Sequence, residues 1–220
     1  MSLSELLTKR SSTRAFLPKK IEKSLLESIF TSAQGSISNC NVQPWHTIVV
    51  SGKAKDSLKN ELLAEVMSGR PPYPDFDWSP KYKGIHRERQ FGSANALYGA
   101  MDIAREDKTS RQASMLRNWQ FFDAPHVVFF CMEKYLGIMG AVDVGIYAQT
   151  LALLLEENNI SSCMQGALGQ FPGPVIKQLD ITEGVGILFG MSFGYADHSA
   201  AANNTRTSRA ALHEAVQFIE

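Results

Sequence analysis

Apolar residues recur along this chain in two rhythms. Leu3, Leu6 and Leu7 share one face if residues 2–9 are helical. After Pro18, Ile21, Leu25, Leu26, Ile29 and Phe30 repeat the three-and-four spacing of a second helix ending near Gly35. SISNCNVQPW, residues 36–45, is rich in Ser and Asn and is stopped by Pro44, which predicts a loop. The β-branched run from His46 to Ser51 predicts a strand, and residues 53–68 return to helical spacing.

Residues 69–89 carry four prolines with aromatics and mixed charge, so they are expected to be irregular, with helix resuming near Gln90. HVVFFCME, residues 126–133, predicts a strand after Asp123-Ala-Pro125. Residues 140–158 predict a long helix that is apolar nearly all round and therefore buried, within the monomer or across a dimer. A short extended piece at 161–168, a helix at 173–179 and a buried strand at 185–195 follow. The segment after Asn204 ends as helix or as an arm. Strands alternate irregularly with helices and no repeat is visible, which points to a mixed α/β or α+β layer fold within a single domain over 1–220.

Charge narrows the function. Twenty-two Lys and Arg balance twenty-two Asp and Glu, so a general nucleic-acid or anionic-membrane binder is not expected. Cys40, Cys131 and Cys163 are three widely spaced thiols. That suits a reducing, cytoplasmic setting without a disulfide framework or a zinc site. The five histidines lack metal-ligand spacing, and His46 and His126 are expected as ordinary residues at strand starts. MSLSELLTKR has no secretory apolar run, and the longest uncharged apolar run, 144–155, is too short to span a bilayer.

Two motifs are decoys. Gly190-Met-Ser192-Phe-Gly194 matches a nucleophile elbow, and a serine hydrolase at Ser192 is the weakest of the readings considered. The serine sits inside an apolar run rather than at a strand-to-helix turn, so the expectation is a buried strand with small residues at close approaches. Gly184, Gly186 and Gly190 open a strand instead of ending one, which excludes a dinucleotide fingerprint.

The opening KRSSTRAF, residues 9–16, is more informative. Arg10 and Arg14 share a face whether the segment is helical or extended, with Ser12 between them and Ser11 alongside. Two guanidinium forks suit phosphate oxygens or a carbonyl-rich ring edge, and hydroxyls suit a polyol.

Six segments in order resemble the FMN-dependent nitroreductase family over almost the whole chain. They are Arg10-Ser-Ser12-Thr-Arg14-Ala-Phe16, the loop 37–45, Asn118 to Pro125, Asp143-Val-Gly145, Gly194 to Asp197, and Arg209 to Leu212. The resemblance implies an α+β three-layer sandwich, a mainly antiparallel sheet flanked by helices, in an intertwined homodimer with FMN at the interface. It implies that Arg10, Ser11 and Ser12 serve the phosphate and ribityl chain and that Arg14 faces the flavin pyrimidine edge. Arg209 and Arg206 would hold the phosphate. Ser38, Asn39 and Asn41 would come from the partner subunit. Asn118 would bond the pyrimidine edge, and the backbone at Gln165 and Gly166 would donate to flavin N5 and O4.

The implied activity is ping-pong transfer from NADH or NADPH through FMN to a nitroaromatic, quinone or related small-molecule acceptor, without a catalytic side chain or metal. The alternative is a flavin carrier or redox sensor with the same binding residues. Two departures stand out. Ile37 replaces a usual Pro, and Phe121 stands where some relatives carry Lys, leaving Arg14 as the main local cation. Within 69–89, Tyr73, Phe76, Trp78, Tyr82 and Arg87 are candidates for the substrate face.

Overall fold

Alternation along one strand organises the core. The computed structural model describes residues 1–77 and 81–220, so the expectation for Trp78 lies outside the described residues. In β2, His126–Glu133, the side chains of Val128, Phe130 and Met132 join one apolar cluster while those of Val127, Phe129 and Cys131 join another. Period-two side chains put these sets on opposite sheet faces. Helices cover both faces, which is why β2 is buried at every position except Glu133.

The sheet has order β1-β2-β4-β3, with β1 at His46–Ser51, β3 at Ser161–Gln165 and β4 at Val185–Gly194. All three pairings are antiparallel. One face packs on α2 (Lys23–Ala33) and α6 (Gly137–Glu157). The other packs on α3 (Gly52–Met67) and α7 (Pro172–Leu179), with Trp119 and Leu168. The fold is thus an α+β sandwich of three layers.

α1, Leu3–Lys9, starts on a capping box. Ser2 Oγ accepts from Glu5 N at 3.3 Å, and Ser2 N donates to the Glu5 carboxylate at 2.6 Å. The N-terminal segment then runs extended beside the sheet. Ser12 bridges Ser162 in parallel, and Phe16 bridges Ala196 in antiparallel sense.

α6 is long and apolar enough to cross a membrane by length and composition, with mean hydropathy 1.7 in an 18-residue window within Lys134–Glu157. The 144–155 run understated it. Val144, Tyr147, Ala148, Leu151 and Leu155 are nevertheless fully buried against the sheet, and Asp143 is buried among them, which makes α6 a core helix. Its first turns present Ile138, Met139 and Val142 outward.

Several boundaries differ from expectation. Helix resumes at Gly84, six residues before Gln90, as α4 (Gly84–Ala100). α4 buries no residue, so apolar periodicity could not announce its start. α5, Lys108–Leu116, was not anticipated for the same reason; Asp107 caps it through Ser110 N at 2.9 Å. The extended piece 161–168 breaks at Gly166, where the chain tightens into a 3-10 turn, Gly166–Gly169. The C-terminal segment forms the short α8, Leu212–Ala215, and ends exposed at Phe218 and Ile219.

Close approaches explain the small residues of β4. A Cβ on Gly190 would meet Leu168 Cδ1 at 2.6 Å, and one on Gly194 would meet Pro125 Cδ at 2.6 Å.

Candidate functional site

The extended course of residues 12–17 is set by backbone pairing. Thr13 N donates to Ser162 O at 3.0 Å, Leu17 N to Tyr195 O at 2.8 Å, and Asp197 N to Ala15 O at 3.0 Å. Thr13, between Ser12 and Arg14, turns inward and is buried. Extended alternation therefore aims Ser12 and Arg14 outward together, with Arg10 at the end of α1 beside them. Asn203 locks this strip to the C-terminal segment. Its amide oxygen accepts from Arg14 N at 2.7 Å, and its nitrogen donates to Ala15 O and Asp197 O at 2.9 and 2.8 Å.

The result is a cleft of ≈ 650 Å³ that gathers Arg10, Ser11, Ser12 and Arg14 with Thr205, Arg206, Thr207 and Arg209. Gln149 from α6 and Ser93 from α4 complete its polar wall. Four arginines and no carboxylate stand among the described residues of that wall. Arginine–carboxylate pairs elsewhere involve Arg70, Arg89 and Arg117. In a chain of net charge +0, this is a concentrated cationic site. Arg206 Nη1 donates to Asn203 O and Thr205 O at 2.9 and 2.8 Å; Arg209 Nη1 donates to Ser208 O and Thr207 Oγ1 at 3.0 Å. Those bonds use one nitrogen of each fork, and a guanidinium carries five N–H donors.

Arg14 connects this cleft to a second polar centre. It lines a smaller space of ≈ 130 Å³ that reaches Asn118, Tyr98 and Arg117. Asn118 is held from two sides. Its Nδ2 donates to Met115 O at 3.0 Å, and its backbone carbonyl accepts from Gln165 Nε2 at 2.8 Å. Gln165 is buried, and its Oε1 in turn accepts from Ser192 Oγ at 2.5 Å. Ser192 is therefore a fully buried mid-strand donor, which removes the hydrolase reading. Trp119 Nε1 donates to Ala167 O at 3.2 Å and ties the 3-10 turn that begins at Gly166 to the segment bearing Asn118. Just beyond Asn118, Phe121, Phe122 and Asp123 all have φ between 52° and 62°. Three successive non-glycine residues in that region are costly. Burial of the Phe121 and Phe122 rings holds them there.

Cys163 lies below Arg14 in a small apolar cluster with Phe16 and Phe122. Burial pushes its thiol up, against a weaker downward pull from Arg14, Ser12 and Arg10. These groups converge on one point of the fold.

Ser38, Asn39 and Asn41 line none of the clefts that hold Arg14. Their loop is shaped by one internal bond and one anchor on α6. Ser38 Oγ accepts from Gln43 N at 3.0 Å, and Asn39 N donates to both Asp143 carboxylate oxygens at 3.2 Å. Cys40, Asn41 and Gln43 take positive φ, so the loop is a tight left-handed turn beside α6.

Tyr73 and Phe76 do not face the cleft. Tyr73 OH donates to Glu65 at 2.9 Å and its ring meets Phe171 edge-on, while Phe76 closes on Gly186 at the opposite end of β4 from Gly194. Asp75 secures them by accepting from Ile187 N at 3.0 Å and pairing with Lys134 at 2.6 Å. Arg87 lies over the Phe91 ring at 5.2 Å. Tyr82 does line a groove with Arg14.

Sequence reasoning missed Ser93, Gln149, Thr205, Asn203 and the role of Asp143. Asp143 and Gln149 carried a signal, since each is a polar residue inside an otherwise apolar helix. Ser93 carried none.

The chain is similar to known proteins over most of its length. Residues 7–195 match the family model described as the nitroreductase family. The chain is 36% identical over 214 residues to nitroreductase NfnB of Mycolicibacterium smegmatis, covering 97% of this chain and 91% of that protein. It is 31% identical over 207 residues to a 4-nitrobenzoate reductase of Pseudomonas putida, covering 91% and 88%. A crystal structure of the FMN- and NADPH-dependent nitroreductase NfnB from sphigopyxis sp. strain HMH superimposes with a TM-score of 0.96 at 31% identity, covering 100% of both chains.

Proposed function

The chain belongs to the nitroreductase family, and on that premise we propose that it is an FMN-dependent oxidoreductase carrying electrons from NADPH to nitroaromatic acceptors as a homodimer. One observation carries the reading: the carboxylate-free cleft in which Arg10, Arg14, Arg206 and Arg209 converge around Ser11, Ser12 and Thr205. Its size and donor set fit a phosphorylated polyol attached to a flat heterocycle.

Arg206 and Arg209 hold the phosphate with the guanidinium nitrogens that backbone carbonyls leave free. Arg10, Ser11 and Ser12 serve the polyol. Arg14 places a fixed cation where negative charge collects at the pyrimidine edge, and so sets electron affinity. Asn118, oriented by Gln165 and Ser192, reads the same edge. The backbone of Gln165 and Gly166 supplies donors to the opposite side of the ring. Bound FMN supplies the hydride- and electron-accepting centre that none of these side chains provides.

The partner subunit contributes Ser38, Asn39 and Asn41 in this reading. Ile138 and Met139 on α6, with Phe218 and Ile219 at the C-terminus, leave apolar surface that a second copy covers. The cytoplasm is the compartment that suits three free cysteines and a nicotinamide-driven reaction. Purification should give a yellow dimer that NADPH bleaches anaerobically and a nitroaromatic restores. A colourless protein that takes up no FMN would overturn the reading.

A further inference from the structure

α4 presents one continuous stripe to a groove of ≈ 470 Å³ that opens from the cofactor cleft. His86, Arg89, Gln90, Ser93, Leu97 and Tyr98 follow the three-and-four spacing of a single helix face. Ser93 and Arg14 belong to both the groove and the cofactor cleft, so the two spaces adjoin. The stripe changes character along its length. Its inner end, Leu97 and Tyr98, is apolar and aromatic and reaches the space beside Asn118. Arg111 lies over the Tyr98 ring at 4.4 Å and steadies it. Its outer end carries the Arg89 guanidinium and the His86 imidazole, with the exposed Tyr82 alongside. No carboxylate lines the groove among the described residues; outside it, Glu214 of α8 pairs with Arg89 at 3.0 Å.

An aromatic inner end and a cationic outer end suit a ligand with a flat ring at one end and an anion at the other. From Leu97 to His86 is eleven residues, or about 16 Å of helix axis. That separation exceeds a single substituted benzene ring, so an aromatic acid cannot touch both ends. A nicotinamide dinucleotide phosphate can.

We propose that the outer end of the α4 stripe, Arg89 and His86, is the subsite for the 2′-phosphate of NADPH, with Tyr82 offering a face to the adenine. This rests on the reading of the chain as an FMN oxidoreductase. Arg89 supplies a planar fork to the phosphate, and Glu214 competes for that fork when no nucleotide is present. The subsite makes the choice between NADPH and NADH, because NADH lacks the group that Arg89 and His86 recognise.

The test uses the FMN-loaded dimer. Steady-state kcat/KM is measured with NADPH and with NADH for the wild type and for Arg89→Gln, His86→Gln, Arg89→Lys and Glu214→Gln. Arg89→Gln should lower the NADPH:NADH ratio roughly tenfold, the loss of one charge-assisted hydrogen bond to phosphate, through KM for NADPH. His86→Gln should move it the same way, Arg89→Lys should restore part of it, and Glu214→Gln should hold or raise it. An unchanged ratio in Arg89→Gln, or an equal fall with both nicotinamides, overturns the proposal. So does a variant that instead discriminates 4-nitrobenzoate from nitrobenzene, since the stripe would then read the acceptor's carboxylate. Failure of the flavin reading itself shows separately, as absence of flavin absorption before any substrate is added.

Discussion

Both carboxylate oxygens of Asp143 sit 3.2 Å from the backbone nitrogen of Asn39, across 104 residues of chain. Asp143 is buried on α6, and the loop it holds carries Ser38, Asn39 and Asn41. A charged acceptor inside the core is thus committed to the shape of a surface loop. Asp143→Ala should destabilise the protein by about 1.5–3 kcal/mol, because the Asn39 N–H loses an ionised partner. Asp143→Asn should cost less, since one acceptor remains. Urea midpoints of the FMN-free and FMN-loaded forms read both effects. A loss confined to the loaded form would place the role in cofactor binding instead of loop shape.

Arg209 and Arg14 should fail differently. Arg209→Ala removes a fork aimed at phosphate and should weaken FMN binding roughly tenfold or more. Arg14→Ala should retain the cofactor and lower its reduction potential, by ~30 mV for each ~1.4 kcal/mol of lost stabilisation of the reduced form. Fluorescence titration of FMN and a dye-coupled redox titration separate the two. Equal loss of FMN in both variants would show that the division of roles is wrong.

Ser192→Ala should leave Gln165 Oε1 buried without its donor, at a cost of about 1–3 kcal/mol. Gln165 then holds Asn118 less firmly, so FMN binding should weaken along with the loss of stability. Thermal unfolding and fluorescence titration of FMN on the same preparation check this.

His126 should make stability depend on pH. Its Nε2 accepts from Ile21 N at 3.1 Å, so the proton resides on Nδ1, facing Ser51 Oγ at 2.5 Å. Burial, then the positive charges of Lys55 and Lys20, hold its pKa below the ordinary histidine value. Between that lowered value and about 6.5 the unfolded chain binds more protons than the folded one, so stability rises with pH there. The contribution is complete above about 6.5 and falls away as pH drops through the folded value. His126→Gln should flatten this part of the profile in denaturant titrations.

Much of the chain was legible because its elements bury a face. The strands from His46 and from His126 were bounded to the residue, since β-branched runs ending at turn residues leave little choice. Both histidines stand at strand starts as expected, His46 exposed and His126 a satisfied core residue. α4 and α5 bury nothing, so no apolar period marked them. Tyr73 and Phe76 showed how composition misleads: an aromatic in a proline-rich segment can serve packing as readily as a ligand, and only Gly173 and Gly186 opposite them decided it.

Residue type and order alone predicted that Arg10 and Arg14 share a face whether their segment is helical or extended, because either periodicity depends on local geometry only. In a chain of net charge +0 they also marked the basic opening stretch as a local site. Which arginines meet was decided by tertiary contacts: the Asn203 amide joins positions 189 residues apart, and Ser93 reaches the same cleft from a helix with no buried residue. Such convergence depends on how packed layers bring distant segments together, and no local rhythm of apolar and polar residues encodes a distance between them.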